Sequence, residues 1–459
     1  MTSYAGLALF KVYRCKSTFS ACNFADKILY PAKLFDSGLW ELTKFIRIKS
    51  ISGEFLTTGL ISNQDTRSRF NNLKNGFNFY YLKNERPNAG YLLLSRGEPE
   101  KNGKSSIELW DLNTQELINK YKIDLKNIRK NIPYDIGSET QFRHPLLLED
   151  GSIITSVVGG VNPLIKLDKC GNLLAYNASE NFHHSLEVDE NSVIYSPIKL
   201  KSEIYDITLD DGYVTLDENL NLIDKYWLKD IFIKNNLTND LKQTRSHLND
   251  VEPFRRDDGS IILFMSLRDQ SRLLAYDPYL NKIIWIIDNA VSKQHDVDVI
   301  NKRLDKVDIS IFDNNSYKFL KEDVSSKSSF INNMVVTFKD LPTRYSGELI
   351  YINSPKQYDK FSFDFIDFSY LDENYIPRTS TQGLSDFNKL NNSIMIEESN
   401  NGHILEVDLN TNKPLWQFIN KQKGDSKITY QLNWSRRLER LPGKLKKSDF
   451  YLCDFNRKK

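Results

Sequence analysis

The chain has 459 residues, enough for two or three ordinary domains or for one large domain assembled from repeats. Hydrophobic residues make up 40% and charged residues 27%, which excludes disordered and fibrous classes. With 62 Lys+Arg against 60 Asp+Glu the formal net charge is +2, so the broad basic field by which nucleic-acid binders grip phosphates is missing.

In chain order, the apolar start Tyr4–Phe10 is followed, not preceded, by the basic residues Lys11, Arg14 and Lys16, the reverse of a secretory signal. No later run approaches the roughly 18 apolar residues of a membrane-spanning helix. Cys15, Cys22, Cys170 and Cys453 form no CxxC pair and no zinc-ligand spacing, and decide nothing about an oxidising compartment. Residues 1–75 carry no repeat and are expected to form an N-terminal extension packed on the remainder of the chain.

From residue 76 onwards a unit recurs. Its first part is a β-type run: GYLLLSRG (90–97), GSIITSVV (151–158), NSVIYSPI (191–198), GSIILFMSLR (259–268), VDISIFDNN (307–315) and NSIMIEES (392–399). Its second part reads apolar-x-apolar-Asp, a polar turn, then alternating apolar residues: 107–121, 164–176, 213–227, 273–285, 349–361 and 404–418. Asp111, Asp168, Asp217, Asp277, Asn353 and Asp408 anchor these turns, which is hairpin chemistry. Helical periodicity is nearly absent, its best candidate being Tyr226–Leu241. Six units of three or four strands predict an all-β fold, a six-bladed β-propeller over 76–420, with a basic tail over 421–459.

Only six residues are His, and five cluster at one place in the repeat. His144 precedes the second unit, His183 and His184 the third, His247 the fourth and His295 the fifth; His403 alone lies on an outer hairpin. If the ring closes, the starts of innermost strands converge on one mouth of the central channel, and these imidazoles share a pocket. Asn249, Asp250, Asp296 and Asp298 lie beside them, and a carboxylate can hold an imidazole in one tautomer. Arg268 ends an apolar strand, where a guanidinium needs either a partner such as Asp269 or a bound oxyanion.

At these residues the sequence resembles the bacterial arylsulfate sulfotransferases, six-bladed propeller enzymes that do not use a nucleotide sulfate donor. The resemblance is carried by 182–197, 247–278, 294–300 with 310–315, and 382–408, and extends over about 80–420. It implies ping-pong transfer of a sulfuryl group from a phenolic sulfate ester to a phenol, with no cofactor and no metal. His295 is implied as the nucleophile, His247 and Arg268 as the groups holding the sulfuryl oxygens, and His183 or His184 as the partner of the leaving phenolate. Asn249 and His144 are expected to line the substrate pocket. Asp250, Asp296 and Asp298 are expected behind the imidazoles, Asp296 or Asp298 steadying His295. The resemblance also implies a periplasmic or exported protein. Two other functions fit the residues: a propeller holding a transition metal through imidazoles and carboxylates, and a non-catalytic binding or scaffold module.

Overall fold

A computed structural model describes residues 60–61, 69–70, 73–99, 104–132, 140–158, 162–201, 208–237, 246–288, 290–314, 333–352, 362–372, 374–379, 382–422, 429–451 and 453. The expectations for Tyr4–Phe10, Cys15, Cys22 and most of the 1–75 extension lie outside these residues, as does Asn353.

The alternating runs form six antiparallel sheets that are the blades of a six-bladed β-propeller. From the axis outwards, blade 2 is Gln141–Leu147, Ile153–Val158, Leu164–Leu167 and Leu173–Asn177. Blade 3 is Glu187–Val188, Ile194–Lys201, Thr208–Leu216 and Leu222–Trp227. Blade 4 is Leu248–Arg255, Ile261–Leu267, Arg272–Asp277 and Lys282–Asp288, with Ile350–Ile352 added in parallel at its rim. Blade 5 is His295–Arg303, Lys306–Asp313, Met334–Pro342 and Ser362–Asp367. Blade 6 is Leu384–Asn388, Ser393–Glu398, His403–Asp408 and Lys413–Ile419, with Gly76–Phe79 outside it. Blade 1 joins both ends of the ring: Tyr91–Glu98, Lys104–Asp111 and Glu116–Lys120 are completed on the axis side by Arg436–Leu438, with Arg436 opposite Leu93. Closure therefore uses residues beyond 420.

The side-chain period of two sends alternate residues of one strand into opposite seams between blades. Leu93 packs with Phe142, Ile153 and Ile165 of blade 2, whereas its neighbours Leu92 and Leu94 pack with Met395 and Trp416 of blade 6. The same arrangement gives one buried apolar cluster per seam, for example Phe264 and Trp285 of blade 4 against Ile309 and Phe338 of blade 5. The repeated aspartates close the outer hairpins as expected. Asp111 Oδ1 accepts the amides of Asn113 and Thr114, and Asp168 Oδ1 those of Cys170 and Asn172.

The helix expected over Tyr226–Leu241 is present as Leu228–Lys234. A second, Leu125–Asn131, is capped by Asp124, whose carboxylate accepts the amides of Lys126 and Asn127. No helix among the described residues is long and apolar enough to cross a membrane. Cys170 and Cys453 form a disulfide across 283 residues of sequence, tying the blade 2 hairpin to the end of the chain.

Candidate active site

Near the start of every innermost strand the backbone turns through one non-glycine residue with φ in the left-handed region. In blades 2 to 6 and then 1 these are His144 (46°), His184 (59°), His247 (52°), Asp296 (65°), Gln382 (62°) and Trp434 (62°). Such a conformation costs roughly 1–3 kcal/mol per residue and persists only where its surroundings hold it. Here the neighbouring blade does so. His247 N–H donates to Asp211 Oδ2 at 2.7 Å, and Leu186 N–H to His144 Nδ1 at 3.1 Å. Trp434 N–H and Ser435 N–H donate to the two oxygens of Glu397 at 2.9 and 2.8 Å.

The shared histidine position therefore resolves into two adjacent ones. His144, His184 and His247 occupy the bend, while His183 and His295 stand immediately before it, as does Arg143 in blade 2. Four imidazoles meet there. His183 Nε2 and His184 Nε2 each lie 3.2 Å from His247 Nε2, and the rings of His184 and His295 are 5.7 Å apart. Trp434 stacks on His184 at 5.1 Å and touches His295 edge-on at 6.0 Å.

Hydrogen-bond partners fix where the protons sit. Asn314 Nδ2 donates to the carbonyls of Thr379 and Gln382, so its Oδ1 faces His295 Nδ1, 2.5 Å away. That leaves the proton of His295 on Nδ1 and a lone pair on Nε2. Arg143 Nη1 lies 3.3 Å from His184 Nδ1, and a guanidinium only donates, so neutral His184 carries its proton on Nε2. Burial holds His183, His184 and His295 well below the ordinary imidazole range, helped by Lys199, His183 and Arg268 respectively, so all three are neutral near pH 7.

Other expected residues sit differently. The partner of His295 Nδ1 is Asn314, not Asp296 or Asp298. Asp296 is the left-handed residue of its blade and its Oδ2 turns to the amide of Ser385 at 2.9 Å. Asp250 makes the equivalent link to Val297 N–H at 2.7 Å. Asp298, with Glu252 and Asp386, belongs to an acidic group on the innermost strands. Burial raises Asp250 and Asp386 to about 7 and lifts Glu252, Asp296 and Asp298 well above the usual carboxylate range, nearby carboxylates adding to the effect. Asn249 is buried with Nδ2 on the carbonyl of Gln294. His144 is buried against Trp434, its Nδ1 taken by Leu186. Arg268 has the carboxylate partner foreseen for it: Nη1 donates to Asp269 Oδ1 at 2.8 Å. His403, the outlier, bonds Glu398 Oε1 at 2.7 Å inside blade 6.

Potential ligand atoms of His183, His184 and His247 lie within 4.8 Å of one another, the one such group among the described residues that could hold a metal ion. The proton arrangement opposes it. A metal on His184 Nε2 needs the lone pair there, which requires either loss of the ring's one remaining proton or displacement of Arg143 from Nδ1. A buried guanidinium beside a dication adds repulsion. Neutral N–H donors and guanidinium groups suit the oxygens of an anion better.

Fold and site together define a β-propeller with a cluster of imidazole and guanidinium groups at the starts of its innermost strands. Residues 144–421, well over half of the sequence, match the family model for arylsulfotransferase (ASST), and the chain belongs to that family. A search of curated proteins gives no significant match. Among solved structures the chain is similar to a protein of unknown function from Bacteroides caccae, with a TM-score of 0.42 and 10% identity over 76% of this chain and 98% of that one. Kuenenia stuttgartiensis hydrazine synthase gives a TM-score of 0.39 and 8% identity over 72% and 79%. Likenesses this low carry no argument about function.

Proposed function

We propose that the protein moves a sulfuryl group from a phenolic sulfate ester to a phenol through a sulfohistidine at His295. The observation that carries this reading is the Asn314–His295 bond, which leaves the Nε2 lone pair of a neutral imidazole available beside a cluster of imidazole and guanidinium groups. In the first half-reaction His295 Nε2 bonds to sulfur as the sulfur–aryl oxygen bond breaks and the phenolate leaves. In the second, the acceptor phenol gives up its proton, its oxygen bonds to sulfur, and the N–S electron pair returns to Nε2. Overall, one proton passes from acceptor phenol to departing phenolate.

Such transfer depends on alignment and charge stabilisation more than on covalent activation, and a covalent intermediate divides one hard displacement into two. The Nε2–H of His184 is suited to hydrogen-bond the phenolate oxygen, with the neutral His183 ring beside it. His247 Nε2, which the His184 Nε2–H faces at 3.2 Å, is suited to accept the phenol's proton. Arg268, although paired, is close enough for its charge to act on His295 and to offset charge developing on the sulfuryl oxygens. Family membership supports small aryl substrates; donor and acceptor are proposed at the level of class. Release of nitrophenolate from 4-nitrophenyl sulfate, dependent on added phenol, tests the reading; no turnover with any phenol would leave the binding-module alternative.

A further inference from the structure

Four arginines among the described residues are more than nine-tenths buried: Arg69, Arg143, Arg256 and Arg437. Three of them are neutralised on the spot, Arg69 by Glu398, Arg256 by Asp277 and Arg437 by Glu406. Arg143 is not. Among the described residues its only side-chain partners are the neutral His184 Nδ1 at 3.3 Å and Gln141 Oε1 at 3.5 Å, and its Nε has none. Glu397, the carboxylate that acts on it from a distance, spends its oxygens on the amides of Trp434 and Ser435 and on the Ser399 hydroxyl. Burial lowers even this guanidinium to about 10, yet it stays charged near neutrality. A buried, unpaired cation is costly, and a bound anion removes the cost.

We infer that Arg143 forms a second anion subsite, which takes a carboxylate or sulfate carried by the aryl substrate in addition to the sulfuryl group being transferred. Arg143 and His247 meet opposite edges of the His184 ring, at Nδ1 and Nε2. An anion on Arg143 is thus separated by His184 from the proton acceptor His247 and from a sulfuryl group carried on His295 Nε2. The neighbouring surface is made of amides: Gln141 donates to Gln431 at 2.9 Å, and Gln431 reaches Gln382 and Asn400 at 3.4 and 3.3 Å. Gln141 Nε2, with one N–H on Gln431, has a second to offer the oxygens of an arriving substrate. The subsite rests on the proposed reaction only for the identity of the aryl group.

The test is calorimetric binding of 4-hydroxybenzoate and of phenol, which needs no turnover. Wild type should bind 4-hydroxybenzoate about tenfold or more tighter than phenol, the range of one charge-assisted hydrogen bond. Arg143→Gln should lose that preference, and Arg143→Lys should keep part of it. Equal affinity for the two ligands in wild type overturns the subsite, as does an undiminished preference in Arg143→Gln. If Arg143→Gln does not fold, wild type and Arg143→Lys still decide, since a preference absent from wild type or undiminished in Arg143→Lys contradicts a guanidinium fork. Failure of sulfuryl transfer with intact selectivity would count against the proposed reaction alone.

Discussion

Asn314 Oδ1 stands 2.5 Å from His295 Nδ1, across two strands paired within one blade, and no other described residue hydrogen-bonds that nitrogen. The bond sets the tautomer that a nucleophilic imidazole requires. Asn314→Ala should lower kcat by about 10–100-fold with KM little changed, the usual effect of removing a group that orients a functional histidine. Because burial holds His295 well below 6.5, the acid limb of the wild-type pH profile should lie below that value. Asn314→Asp, which places a carboxylate on Nδ1, should move the limb upward. An unmoved limb in Asn314→Asp would argue that Asn314 acts only through packing.

Asp250 supplies a stability prediction of opposite character. Folding raises it to about 7, so the folded protein holds a proton that the unfolded chain releases above about pH 4. Its contribution is fully present below the unfolded value and is lost as pH rises through the folded one. Asp250→Asn keeps an acceptor for the Val297 amide and removes the charge. Its Tm relative to wild type should therefore be higher at about pH 8 than at about pH 5. A difference independent of pH would contradict the assignment.

The disulfide fastens the blade 2 hairpin to the chain's last residues. Replacing Cys170 and Cys453 together by serine should cost about 3–5 kcal/mol in a urea titration, since a very long loop is closed by the bridge. An unchanged midpoint would show that blade 1 closes as firmly without it.

Metal content separates the imidazole cluster's two uses. With Arg143 on His184 Nδ1, the purified protein is expected to hold far less than one transition-metal ion per chain, and chelators should leave nitrophenolate release unaltered. About one tightly held ion per chain, with activity lost on its removal, would reverse the argument.

Much of this site was legible in the sequence because histidine is rare in it. Scarcity made the recurrence of His183, His184, His247 and His295 before successive strands visible, and the strand pattern placed them on one mouth. Arg143 carries the same positional signal, standing before His144 as His183 stands before His184, but one arginine among many basic residues does not draw notice. Asn314 follows a strand whose partner begins at His295, and only the register Phe312 opposite His295 brings its amide to the ring. Trp434 was hidden for a different reason. The strand it precedes, Arg436–Leu438, is three residues long and basic, so it looks like a tail until ring closure gives it partners. The disulfide was equally out of reach, because a sequence separation of 283 leaves no spacing to read.

On the proposed mechanism His295 becomes covalently sulfated. Protein mixed rapidly with 4-nitrophenyl sulfate in the absence of acceptor, quenched in base and digested, should yield the peptide containing His295 heavier by one sulfuryl group. The adduct should be acid-labile and should disappear when phenol is added before quenching. It should also be absent from His295→Ala. Nitrophenolate release with no adduct on His295, or with the same release in His295→Ala, would contradict the account.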